Sequence, residues 1–128
     1  MREITEIQVI LALEVTSKGK EYLDNSMDIR PVKVLPSNYL GDESGYEIIL
    51  VDTGLIKTYE LMDVIEMAFS MLDDKMEKAF QTVANSDYGE CAMAITAYSK
   101  DVFPAMVITE EYIKKIADLN MSVDMDVH

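Results

Sequence analysis

The stretch Phe103 to His128, FPAMVITEEYIKKIADLNMSVDMDVH, changes its hydrophobic period once, and that change decides the fold. It reads as an extended segment, then a capped helix of about ten residues up to Asn120 with apolar residues at helical spacing, then a turn and a strand in which they alternate. Thr109 is placed to serve as N-cap, its hydroxyl accepting from a first-turn amide, with Glu110 and Glu111 beside the positive end of the helix dipole. Ile113, Ile116 and Ala117 mark the expected buried face, with Lys114, Lys115 and Asp118 elsewhere. Asn120 suits the left-handed residue that ends a helix. Next, Met121, Val123, Met125 and Val127 point one way and Ser122, Asp124, Asp126 and His128 the other, which predicts a strand with one buried face.

Upstream, Cys91 to Tyr98 reads as a strand, preceded by the turn signal Asn85-Ser86-Asp87-Tyr88-Gly89. From Thr58 the period is helical, with a stripe of Leu61, Ile65, Ala68 and Leu72 widened by Met62 and Phe69. Asp73 is a cap for a second helix carrying Met76, Ala79, Phe80 and Val83; one helix bent at this point fits the pattern equally. Tyr46 to Val51 is a strand closed by Asp52-Thr53-Gly54, and Ser37 to Gly45 reads as a polar loop. Val32 to Leu35 is a short extended piece between prolines, as at a sheet edge, and Pro31 drives Arg30 out of the helical region. Lys20 to Met27 is a short helix after a turn over Thr16 to Gly19. Ile7 to Val15 is apolar at both parities, the pattern of a central strand covered on both faces.

Short connections and half-buried alternation predict an α+β fold, with a mainly antiparallel sheet and helices packed on one face. The expected arrangement is ferredoxin-like with an extra C-terminal αβ unit, in a single domain over 1–128.

Pro104, the Ile108-Thr109-Glu110-Glu111 helix entry, the run Ile116-Ala117-Asp118-Leu119 and the ending Val123-Asp124-Met125-Asp126 carry a resemblance. Together they are similar to the C-terminal signature of the bacterial "domain of unknown function 4279" family. The order of upstream elements, including Ile29-Arg30-Pro31, extends the resemblance over most of the chain. Asn120 stands where that family usually has glycine, and His128 where it usually has tyrosine. The resemblance implies a bacterial source and a fold, with no established activity and hence no functional residues to transfer.

Charge is the strongest compositional signal. The chain holds 24 acids against 11 bases, a formal net charge of −13. Between Gly41 and Glu90, 12 acids face only Lys57, Lys75 and Lys78, a net of −9. Such a chain repels phosphate backbones, which argues against nucleic acid and anionic membranes as partners. No apolar run is long enough to span a bilayer, and acids precede the first apolar run, unlike a secretory signal. With a single cysteine, Cys91, no internal disulfide forms, and a cytoplasmic setting is expected.

Candidate chemistry is sparse. Asp124, Asp126 and His128 share a strand face and are legitimate metal ligands, yet same-face neighbours lie about 7 Å apart along a strand, so a solvated polar stripe is the expected role. His128 is the only histidine, which leaves no Ser-His-Asp or Cys-His arrangement outside it. Cys91 opens an apolar strand and reads as a buried thiol, and the five glycines form no phosphate-cradling loop. No cofactor and no catalytic group are therefore assigned. Met62, Met67, Met71 and Met76 concentrate on the helix pair as adaptable core filling; exposure of Met67 or Met71 beside the acids would mark a pliable binding surface.

Three functional readings follow in order. The first is a non-enzymatic, immunity-like protein that blocks a basic partner such as a toxin nuclease, through Glu60, Asp63, Glu66, Asp73 and Asp74. The second is a ligand-binding domain, or an assembly domain that forms a homodimer by edge-strand pairing. The third is a carboxylate enzyme with a divalent ion near Asp124 and Asp126.

Overall fold

The computed structural model describes residues 5–30, 33–40, 43–99 and 105–128. Pro31 and Pro104, used in the sequence reading, lie outside them, as do Met1 to Ile4. The elements are β1 (Glu6–Val15), α1 (Ser17–Met27), β2 (Lys33–Leu40), β3 (Glu43–Asp52), β4 (Ile56–Lys57), α2 (Leu61–Ser70), α3 (Asp74–Ala84), β5 (Gly89–Tyr98), α4 (Glu110–Asp118) and β6 (Ser122–Val127). The strands form one sheet in the order β2-β3-β1-β5-β6, with β4 paired to the start of β1. All pairs are antiparallel except β5 with β6, which are parallel and joined through α4. The fold is α+β, with helices and a mainly antiparallel sheet, as the period changes predict.

Alternation in β1 sets the layers. Ile7, Val9, Leu11, Leu13 and Val15 are fully buried, and burial of each such side chain contributes about 1.5–3 kcal/mol. They lie opposite Ala97, Ile95, Met93, Cys91 and Gly89 of β5, so both strands turn the same apolar side towards the helices. Leu61, Val64, Ile65 and Ala68 of α2 and Ala79, Phe80 and Val83 of α3 close that core. The other parity of β1, Gln8, Ile10, Ala12 and Glu14, faces away. β1 is central, but the expected cover on its second face is missing among the described residues. Ala12 is buried between its neighbours Ile49 and Ala92, where a methyl group sits low on the sheet.

Several boundaries differ from the sequence reading. Thr16 begins α1 as its N-cap: its hydroxyl accepts from Gly19 N–H at 3.2 Å and donates to Tyr88 O at 3.2 Å. The residues read as a turn are thus a cap and first helical turn. Ser37 to Gly45 is mostly strand, since β2 and β3 run nearly to their connection despite polar side chains. Pairing with β3 is irregular between Leu35, opposite Gly45, and Leu40, opposite Glu43, and Pro36 is tolerated in that irregular part of an edge strand. Between α2 and α3 the chain breaks into two helices, and the Asp73 carboxylate accepts from Met76 N–H at 2.8 Å.

The last αβ unit keeps its outline and changes its faces. Thr109 is the N-cap of α4 by backbone geometry, without a side-chain hydrogen bond. Tyr112, Ile116 and Leu119 pack on the core, whereas Ala117 is exposed and Ile113 is 53% exposed. The helix is rotated so that Tyr112 meets the Phe69 ring edge-on at 5.4 Å. β6 has no buried residue: Val123, Met125 and Val127 are 41%, 46% and 39% exposed, and only Met121 before it is buried. Its apolar side does face the helix side of the sheet, but α4 leans towards α2 and leaves it uncovered.

Asn120 ends α4 with φ 47°, and Met121 N–H donates to Ile116 O at 3.0 Å. Only glycine, asparagine and aspartate reach this region cheaply. Asn120→Ala should lower stability by about 1 kcal/mol, while Asn120→Gly should leave it unchanged or raise it slightly, as measured by urea denaturation.

Candidate functional site

On the side of the sheet away from the helices, folding brings together polar residues from distant parts of the sequence. Strand register gives its rows. Glu47, Glu14 and Glu90 lie side by side across β3, β1 and β5. Beside them run Ile49, Ala12 and Ala92, and next Asp52, Ile10, Ala94 and Asp124. Gln8, Thr96 and Asp126 form the following row, and Tyr98 with His128 closes the end. The centre is therefore apolar and mostly small, and carboxylates rim it on β1, β3, β5 and β6.

Charge compensation on this face is thin. Among the described residues the register places two bases here, Lys57 opposite Glu6 and Lys33 opposite Glu47. Lys75, Lys78, Lys114 and Lys115 all lie on the helix layer. Asp52 accepts from Gln8 Nε2 at 2.7 Å and from Gly54 N–H at 2.8 Å, which fixes its position and leaves its charge unpaired by these donors. Glu14 directly opposes Glu90, a like-charge pairing that costs a few tenths of a kcal/mol to about 1 kcal/mol in a sheet.

Asp124, Asp126 and His128 do share this face, as the alternation predicts. His128 Nε2 lies 3.1 Å from the Asp126 carboxylate, and its ring stacks on Tyr98 with centroids 4.9 Å apart. Among the described residues no group of three or more histidine, cysteine, aspartate or glutamate side chains converges on a point that would hold a cation.

The five helix-pair acids are all exposed. Glu60 precedes α2 and Asp73 and Asp74 follow it, so a helix of ten residues, about 15 Å, separates them. Asp63 accepts from the Thr58 hydroxyl at 3.0 Å, and Asp73 is occupied as the α3 cap. Among the described residues the carboxylates of Glu60, Glu66 and Asp74 have no such local role. Met67 and Met71 are exposed at 38% and 46% beside Glu66 and Asp73, whereas Met62 and Met76 pack on the core. At the junction of α2, α3 and α4 lies a cavity of about 240 Å³, lined by Phe69, Leu72, Phe80 and Leu119 with Glu77 and Lys115 among its polar groups. Lys115 Nζ stands 4.6 Å from the Tyr112 ring centroid, which holds its charge at the cavity mouth.

Cys91 is buried under α3, with Sγ 3.4 Å from Phe80 O, and it forms no disulfide. Desolvation pushes its thiol from the ordinary 9.0 up to about 12, the opposite of what a nucleophile needs. Sequence reasoning found this residue and the β6 stripe. It missed the sheet-face acids of β1, β3 and β5, because Glu14, Glu47, Asp52 and Glu90 are far apart in the chain and only register aligns them.

No family model matches the chain, and no curated protein and no solved structure shows significant similarity to it. Among the described residues no helix is long and apolar enough to cross a membrane.

Two outcomes follow. Because the folded thiol of Cys91 keeps its proton to higher pH than the unfolded one, its contribution is complete below pH 9.0 and declines as pH rises towards about 12. Urea denaturation across that window should show a steeper loss for the native chain than for Cys91→Ala, and thiol labelling should require unfolding. Glu90→Gln should raise stability by about 0.5 kcal/mol at low ionic strength, with the gain shrinking in high salt.

Proposed function

We propose that this protein is a non-enzymatic binding domain that blocks a basic protein partner, in the manner of an immunity protein, and that the uncovered sheet face is its contact surface. The observation that carries the reading is the combination on one face of a partly exposed apolar centre, Ile10, Ile49, Ala92 and Ala94, with a rim in which carboxylates outnumber the lysines Lys33 and Lys57. Large uncovered patches with a charged rim are interaction surfaces, and a negative field of this kind steers a cationic partner and raises its association rate.

Exposed Met67 and Met71 beside Glu66 and Asp74 support a second contact surface on the helix layer, the one expected from sequence. It is second because Lys75 and Lys78 dilute its charge and two of its acids are engaged locally. Membership of the domain-of-unknown-function family belongs to the proposal and rests on the sequence resemblance alone. The buried, unpaired Cys91 fits a cytoplasmic setting.

The test is affinity capture from host lysate with the native chain and with the variant Glu47→Gln/Glu90→Gln/Asp126→Asn. The native chain should retain one stoichiometric basic protein at low salt and release it at high salt, and the variant should associate with that protein about tenfold more slowly. Equal retention by the variant, or recovery of the bait alone, contradicts the reading.

A further inference from the structure

The β6 edge carries a more specific recognition pattern than the face beside it. His128 N–H donates to Ala97 O at 2.8 Å, and Ser99 N–H donates to His128 O at 3.0 Å. Bonding residues alternate along a parallel ladder, so the even-numbered residues of β6 are the ones turned to β5. Val123, Met125 and Val127 consequently aim their N–H and C=O groups outward, and no described strand pairs with that edge. The same three residues point their side chains to the helix side, where the adjoining Met93, Ile95 and Ala97 are buried and they are not. On the opposite side stand Asp124 and Asp126.

A strand laid along this edge meets apolar side chains on one face and carboxylates on the other, at alternate positions. Its own sequence must alternate to match. A second copy of β6 does not match. In a two-fold antiparallel pairing centred on Asp124, Met125 or Asp126, an aspartate of one copy stands opposite an aspartate of the other, and like charges directly opposed are destabilising. Charged residues on an edge strand guard against this self-pairing, and the same carboxylates become favourable opposite lysine or arginine.

We infer that the free edge of β6 is a strand-addition site for an extended segment of a partner protein in which basic and apolar residues alternate. The inference rests on the basic-partner reading above and adds the segment and the edge that it occupies. The added strand hydrogen-bonds to the outward groups of Val123, Met125 and Val127, covers their side chains with its apolar ones, and sets its cations over Asp124 and Asp126.

The probe is a fluorescent synthetic peptide of about seven residues, alternating lysine and valine, titrated into the whole chain at low salt. The control has the same composition with the lysines and valines in separate blocks, and two further peptides are N-methylated on alternate amides, one for each parity. The alternating peptide should bind about tenfold tighter than the block peptide. Amide exchange at Val123, Met125 and Val127 should slow on binding, and one N-methyl peptide should fail while the other binds. Equal binding of alternating and block peptides, with no protection of those three amides, overturns the edge site and leaves the charge-based reading standing. Binding of neither peptide overturns both.

Discussion

Burial of one side of β1 organises the molecule. Ile7, Val9, Leu11, Leu13 and Val15 lose all contact with water, and they can do so only if helices lie over that side along the whole strand. The loops and caps serve this requirement. Thr16 ties the start of α1 to the turn before β5, and Asp73 restarts the helix so that α3 lies over Cys91 and the neighbouring part of β5. The side chains of α2 and α3 are used on β1 and β5, while α4 is drawn towards Phe69 by Tyr112. Nothing of the helix layer remains for β6. The opposite side of the sheet has no described helix, because one layer covers one parity.

That asymmetry sorts the side chains around the charges. The helix layer mixes lysines of α3 and α4 with acids such as Glu66, Asp74, Glu110 and Glu111, while Glu47, Glu14 and Glu90 and the aspartates of β3 and β6 lie on the sheet side. Both layers are therefore acidic, and the sheet side differs in setting its carboxylates around small apolar residues. Such a surface both attracts a cationic protein from a distance and offers close backbone approach once it arrives.

Element type was legible in the sequence wherever periodicity extended over several turns or pairs. The β1 strand, the α2 stripe from Leu61 to Ala68, the capping Asp73 and the left-handed Asn120 all follow from local chemistry, whereas Leu72 falls beyond the end of α2 and β1 lacks the expected cover on its second face among the described residues. What was not legible is what lies above a face. Val123, Met125 and Val127 alternate as a buried row would, but alternation states only that they share a side; coverage depends on where α4 leans. Ile113 and Ala117 fit a helical stripe, yet Tyr112 and Leu119 occupy the contact because the larger ring and longer side chain reach Phe69 and the core. The sheet-face acids were hidden for a related reason. Acids adjacent on one helix are visible as a run, whereas Glu14, Glu47 and Glu90 become neighbours only through two strand registers. The polar composition of Ser37 to Gly45 concealed extended backbone at the ends of β2 and β3, which needs no apolar side chains.

The central claim is that the partner lies on the sheet side and not on the helix layer. Carbodiimide labelling of carboxylates, with and without the captured partner and read residue by residue by mass spectrometry, separates the two directly. The account predicts that Glu47, Glu90, Asp124 and Asp126 lose reactivity in the complex while Glu60, Glu66 and Asp74 keep theirs. Protection of the helix acids with the sheet-face carboxylates unchanged would contradict it.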